Sequence, residues 1–279
     1  SSLTVNGTLI AQGTSNNKIT FMRNGTTGTW GSITFNGSSS SSSILNNAEI
    51  KNATDVRCLN GANVIIQNSI IDQCTQGVYI YNSQPQIKNN QIVEPVQNGI
   101  NSDASGLSPL IQNNTIVKSS SNPQYKQYQG IIFYNNTNGY IAQNDIGGFY
   151  WGMYIGGGSD AIFTDYGFQI FDRNNRVRDN RYGICAGWGG LIFAGIWDTY
   201  GENNSIYNNT TADAMSYQYS NVLAQSNWWG SDGAQTIVDG TSTLDVRDPL
   251  TSDPWLFQYN GGVNYIAQNG KLPIEGVVI

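Results

Sequence analysis

The densest run of ionisable side chains in this 279-residue sequence is DAIFTDYGFQIFDRNNRVRDNR, from Asp160 to Arg181. Asp160, Asp165, Asp172 and Asp179 supply carboxylates, and Arg173, Arg176, Arg178 and Arg181 supply guanidiniums. Carboxylates at this density suit calcium, with an arginine as base, which is what polysaccharide lyase chemistry requires. A glycoside hydrolase needs two carboxylates at a fixed separation instead. Alternating Asp and Arg also pair with each other on a solvated face, with Arg176 and Arg178 flanking an inward Val177. That second reading needs no substrate, so no catalytic, cofactor-binding or metal-ligating residue is assigned. The sequence contains no histidine, and its cysteines, Cys58, Cys74 and Cys185, are scattered without a CxxC spacing. A zinc site is not expected from such a set.

A second kind of chemistry comes from aromatic side chains, among them 16 Tyr and 7 Trp. Aligning short Gly-initiated segments places Arg57, Tyr79, Asn101, Ile132, Tyr154 and Cys185 in one outward column. Leu59, Tyr81, Asp103, Tyr134 and Gly156 form the next. Tyr79, Tyr81, Tyr134, Tyr150, Trp151 and Tyr154 are therefore the candidate face for stacking on sugar rings or packing on a neighbouring molecule. Tyr81 and Tyr134 are expected two rungs apart, about 10 Å.

These columns presuppose a repeat. The pattern is an apolar residue, two residues, Asn, one residue, and an apolar residue. Ile65, Asn68, Ile70 fits it, as do Ile87, Asn90, Ile92, then Ile111, Asn114, Ile116, then Ile141, Asn144, Ile146. Asn175, Asn204 and Asn227 continue the series, and Leu45, Ala48, Ile50 reads as an earlier copy with Ala in the Asn place. The first steps are 20, 22, 24 and 30 residues. A period of this size implies a solenoid, and about 22 residues is too short for a propeller blade. Segments such as Gly77-Val78-Tyr79-Ile80 alternate with period two, the mark of a half-buried strand, and no stretch holds a 3.6-residue period. The expected fold is all-β, a parallel β-helix over residues 1–230. Asn68, Asn90, Asn114, Asn144, Asn175, Asn204 and Asn227 stack inward as a ladder, each amide satisfying its neighbours. Residues 231–279 show no rung pattern and read as an irregular cap or an extending tail.

Charged residues are only 11% of the chain and the net charge is −6. This argues against nucleic acid and anionic membrane surfaces as partners. No apolar run is long enough for a transmembrane helix. Nine N-x-S/T sequons mark Asn6, Asn24, Asn36, Asn52, Asn113, Asn135, Asn203, Asn208 and Asn209 as candidate glycosylation sites. Composition favours an extracellular or cell-surface location.

SLTVNGTLIAQGTSNNKITF, WGSITF at 30–35, the Asn-centred rungs, and SNWWGSDGA followed by LDVRDPLTSDPWL together resemble the β-helix repeat proteins of bacterial and archaeal surfaces, within the pectin-lyase-like superfamily. Asn227-Trp228-Trp229-Gly230 matches the segment that often closes such solenoids. Asp253-Pro254-Trp255-Leu256 is a shortened form of the segment that often follows. The resemblance covers about residues 1–256 and implies a right-handed helix, as does the usual hand of parallel crossovers. It leaves activity open, since this fold hosts lyases, hydrolases, epimerases, adhesins and structural proteins. The Asp-Asp and Gly-His-Gly signatures of the polygalacturonase-like branch are absent. The expectation ranked first is a structural surface protein that associates with copies of itself into a filament, sheath or surface layer. Its first strand, with Leu3 and Val5, offers an open edge, and the apolar tail Leu272 to Ile279 could fill one. A glycan-binding or adhesion module is the alternative, and a polysaccharide lyase or glycoside hydrolase the third.

Overall fold

The computed structural model describes residues 1–119, 128–158, 160–162, 175–195 and 203–254. Short strands recur in sets of three. Val78–Tyr81, Gln86–Lys88 and Gln91–Val93 make one rung, and the next opens at Ile100–Asp103. Strands in equivalent positions pair in parallel and form three long sheets. Sheet A runs from Leu3–Val5 to Thr236–Val238, sheet B from Ile10–Gln12 to Thr243–Asp245, and sheet C from Ile19–Met22 to Ser205–Tyr207. The chain is an all-β parallel β-helix.

Period-two alternation fills its interior. Ile66, Ile87, Ile111 and Ile141 stack along sheet B, and Ile50, Ile71, Ile92, Ile116, Ile146 and Val177 along sheet C, all fully or almost fully buried. Each such side chain contributes about 1.5–3 kcal/mol by leaving water. Sizes are complementary along a column as well. Phe133 fills the space left by its small neighbour Ser102 and by Gly139, where a Cβ would lie 2.0 Å from the Phe133 ring.

The bend from sheet C to sheet A explains the recurring glycine. Gly77, Gly99, Gly130, Gly152 and Gly183 occupy one position in successive rungs, and a Cβ on any of them would lie under 3 Å from the carbonyl oxygen of the next rung. Between sheets B and C runs the buried ladder. Asn90, Asn114, Asn144 and Asn175 each donate both a backbone N–H and Nδ2 to the Oδ1 of the next Asn, at 2.9–3.1 Å. Asn204 does the same to Asn227.

Asn68 stands outside this column. It is exposed, with φ 51°, and its Nδ2 donates to Asn46 Oδ1 at 2.9 Å. Ser69 takes the buried place, its N–H donating to Asn90 Oδ1 at 3.0 Å, while Ala48 N–H donates to Ser69 Oγ. The reason is the doubled isoleucines of IIQNSIIDQC. Ile65 and Ile66, and Ile70 and Ile71, fit the apolar pattern equally, and the register pairs Ile66 with Ile87 and Ile71 with Ile92.

The solenoid also continues past residue 230, where a cap or tail is expected. Thr236–Val238 pairs with sheet A and Thr243–Asp245 with sheet B. The NWWG segment closes the core: Asn227 ends the ladder, Trp229 is buried, and Trp228 bridges to Ser205, whose Oγ donates to Asp253. Residues 255–279, which hold the apolar tail, lie outside the described residues. At the other end Leu3, Ile10, Ile19 and Met22 are exposed, whereas Val5 is buried.

Candidate functional site

On the outside of sheet A the strand register sets Arg57, Tyr79, Asn101, Ile132, Tyr154 and Cys185 in one column, followed by Met215. Outward residues of a sheet ordinarily meet water, yet Ile132, Tyr154 and Cys185 are buried. They form a second apolar cluster, separate from the interior, with Trp151, Met215 and Tyr217 packed against it.

The neighbouring column explains how the rings fit. It passes from Tyr134 through Gly156 and Gly187 to Tyr217. A Cβ on Gly156 would lie 2.8 Å from the Tyr154 ring, and one on Gly187 would lie 2.6 Å from the Tyr217 ring. The two glycines let both tyrosines lie across the sheet until their hydroxyls meet at 3.1 Å. Burial, then the hydrogen bond with Tyr217, raises the Tyr154 pKa. Burial raises that of Tyr217 as well. Both phenols stay neutral through the physiological range.

Around this pair the rings are continuous. Tyr134 and Trp151 lie 5.8 and 5.5 Å from Tyr154, centroid to centroid. Trp151 stacks on Tyr182 at 6.2 Å and meets Tyr150 edge-on at 4.5 Å. The Arg181 guanidinium lies over Tyr150 and Tyr182, at 4.9 and 5.5 Å. Tyr134, Trp151, Tyr154 and Tyr217, with Tyr128, Ile132, Asn98 and Gln129, line a concavity of about 330 Å³. Every lining side chain among the described residues is uncharged. Asn98 Oδ1 accepts the Gln129 N–H at 3.0 Å, which fixes one amide at the rim.

The structure thus brings Tyr134, Tyr150, Trp151 and Tyr154 together. Tyr79 and Tyr81 stand apart, separated from the concavity by the rung of Asn101 and Asp103. Tyr79 carries Arg57 over its ring at 5.7 Å, and Tyr81 is exposed. Tyr217, Tyr182, Tyr128, Asn98 and Gln129 were not legible as site residues. Tyr217 was hidden because the strand before it, Ala212–Ser216, carries Asp213 where the other rungs have glycine.

The Asp and Arg cluster lies on a different face, outside sheet C. Asp145 is nearly buried and accepts Arg176 Nε at 2.9 Å and Arg178 Nε and Nη2 at 3.1 and 3.0 Å. Arg178 also pairs with Asp179 at 2.6 Å. Burial opposes the charge on Arg178, but the hydrogen bonds it donates to Asp145 and Asp179 outweigh it and raise its pKa. An arginine held in this way remains a cation and a partner, not a base. Asp165, Asp172 and Arg173 lie outside the described residues. Among the described residues no group of three or more Cys, Asp or Glu is placed to hold a metal ion, and no helix is long and apolar enough to cross a membrane.

Of the sequon residues, Asn6, Asn24, Asn113, Asn135 and Asn208 are exposed, and Asn36, Asn52 and Asn203 are half-buried. Asn209 is buried in a second, shorter ladder. Asn180 N–H and Nδ2 each donate to Asn209 Oδ1 at 3.1 Å, and Asn209 Nδ2 donates to Asp213 Oδ1 at 2.8 Å.

No protein family, curated protein or solved structure matches the chain.

Proposed function

We propose that the chain is an extracellular carbohydrate-binding β-helix and that the aromatic concavity on sheet A is its binding site. The observation that carries this reading is an outward apolar cluster of tyrosine and tryptophan rings, flanked by the amides of Asn98 and Gln129. Sugar rings present apolar C–H faces that lie against aromatic rings, and their hydroxyls pair with amides and phenols. Binding fits the site better than hydrolysis or elimination, because among the described residues no carboxylate or lysine lines the concavity.

The reading is tested by calorimetric titration of the purified chain with a panel of soluble polysaccharides. Tyr134→Ala and Trp151→Ala are expected to weaken the binding about tenfold each, the loss of one stacked ring. A chain that binds no member of the panel, or variants that bind as tightly as the parent, would sink it.

Self-association is a second reading, favoured by the exposed Leu3, Ile10, Ile19 and Met22 on the outermost described rung. Its three strands each offer an edge to a further rung, from preceding chain or from another molecule. Sedimentation of the parent and of the double variant Ile10→Lys, Met22→Lys tests this. Assemblies that dissolve in the variant support it, and a parent that stays monomeric excludes it.

A further inference from the structure

Two corners beside the concavity hold large aromatic residues in a backbone conformation that suits them poorly. Trp188 has φ 54° and Tyr219 has φ 61°. In this left-handed region an L residue crowds its own carbonyl, and for a bulky side chain the conformation is a genuine outlier. The corner between sheets A and B uses it in rung after rung. Elsewhere the chain fills it with residues that tolerate it, such as Asn60 and Gly61, Asn135 and Asn136, and Gly157 and Gly158.

Trp188 and Tyr219 gain no burial in return. They are 63% and 77% exposed, the two most exposed large apolar side chains among the described residues. A residue that is strained and also leaves its rings in water is not selected by the stability of the fold. Such positions mark contact with something outside the chain.

Their place in the fold says what that is. Gly189 N–H donates to the Gln218 carbonyl at 3.0 Å and to Ser220 Oγ at 3.1 Å, so the two corners stack on successive rungs. Trp188 follows Gly187, on which the Tyr217 ring rests, and Tyr219 lies two residues beyond Tyr217 itself. Tyr217 is a wall of the concavity. The corners that carry Trp188 and Tyr219 therefore adjoin the wall of the concavity.

We infer that Trp188 and Tyr219 are further stacking positions for the same ligand, which is an extended chain of uncharged sugars rather than a single sugar. The inference rests on the carbohydrate-binding reading and deepens it. The concavity is too small for more than a short piece of polymer, and the corner residues supply additional rings along one path. The uncharged lining among the described residues favours an uncharged polymer, and a net charge of −6 disfavours uronate-rich chains.

The test compares a neutral disaccharide, a neutral hexasaccharide of the same linkage and an oligogalacturonate, each titrated into the parent, Trp188→Gly and Tyr219→Gly. Glycine is at home at positive φ, so both variants should fold with a Tm at or above the parent's. The hexasaccharide should bind the parent more tightly than the disaccharide. Each variant should lose about tenfold for the hexasaccharide and nothing for the disaccharide. Equal affinity of the parent for both lengths, or variants that keep parental hexasaccharide affinity, overturns the inference and leaves the concavity as a short site. Tightest binding to the oligogalacturonate overturns the uncharged ligand while the carbohydrate reading stands. A parent that binds none of the three overturns both. A dimer of the parent that dissociates on Trp188→Gly would assign the corner to self-contact and also overturn the inference.

Discussion

Asn114 and Asn144 are 30 residues apart in the chain and meet at a single atom: the Asn144 Oδ1 accepts both the backbone N–H of Asn114, at 2.9 Å, and its Nδ2, at 3.0 Å. The Nδ2 of Asn144 in turn donates to the carbonyls of Ile111 and Ala142 and to Asn175 Oδ1. One side chain thus satisfies groups from three rungs in a place water does not reach. Asn144→Leu would leave a buried N–H, a buried amide and two carbonyls short of partners, at about 1–3 kcal/mol for each group fully stranded. The expected loss is about 2–5 kcal/mol by denaturant unfolding. Asn68→Gly, outside the ladder and at positive φ, should stay within about 0.5 kcal/mol of the parent. Equal losses at the two positions would refute the register described for Ser69.

Gly130 tests the packing of the bend. A Cβ there would lie 2.4 Å from Ile146 Cγ2 and 2.6 Å from the Gly152 carbonyl oxygen. The first contact can relax through a side chain, but the second is backbone held in a ladder of hydrogen bonds. Gly130→Ala is expected to cost about 1–3 kcal/mol, the usual range for overpacking. A chemical denaturation midpoint equal to the parent's would show that the rung yields.

The repeat was legible because a solenoid writes each rung's needs into the sequence separately. Ile87, Asn90, Ile92 and Gly99 recur with their chemistry unchanged in the next rung as Ile111, Asn114, Ile116 and Gly130. Phase was not legible where apolar residues came in pairs, as at Ile65 and Ile66. There the choice between Asn68 and Ser69 is made by Asn90 in the rung above, a contact 21 residues away. The rung beyond 230 was hidden because Thr236–Val238 and Thr243–Asp245 carry little apolar alternation and are mostly exposed. The aromatic columns followed from counting. The concavity did not, because it depends on Gly156 and Gly187 as vacancies for the rings of Tyr154 and Tyr217, and glycines in sequence read only as turns.

Acid stability has a local contributor in the last rung. Asp245 accepts Arg247 Nε and Nη2 at 2.9 and 2.7 Å and Gln225 Nε2 at 2.6 Å. Chiefly through Arg247, its carboxyl is held at about 2, below the ordinary Asp value of about 3.9. A depressed folded pKa contributes stability that is complete above the unfolded value and is lost as pH falls through the folded one. The Tm should therefore drop between about pH 4 and about pH 2, and Asp245→Asn should flatten part of that drop. The effect is small because Arg247 is largely exposed. An identical pH profile for parent and variant would remove Asp245 from the account.

The three cysteines report on two different interiors. All are free and buried, Cys58 and Cys74 inside the solenoid and Cys185 beneath the aromatic face. Burial raises the thiol pKa of each, that of Cys74 to about 12. Since the thiolate is the nucleophile, none should react with a thiol reagent in the native chain near neutral pH. Unfolding in denaturant should expose all 3. The distinguishing case is Tyr154→Ala. Tyr154 pairs with Cys185 in the outward column, so its removal opens a path to that thiol while the interior ones stay covered. Mass spectrometry of the labelled variant should find Cys185 modified and Cys58 and Cys74 intact. Simultaneous labelling of all three would mean that the aromatic cluster is part of the global fold, whereas silence at Cys185 would mean that other groups seal it.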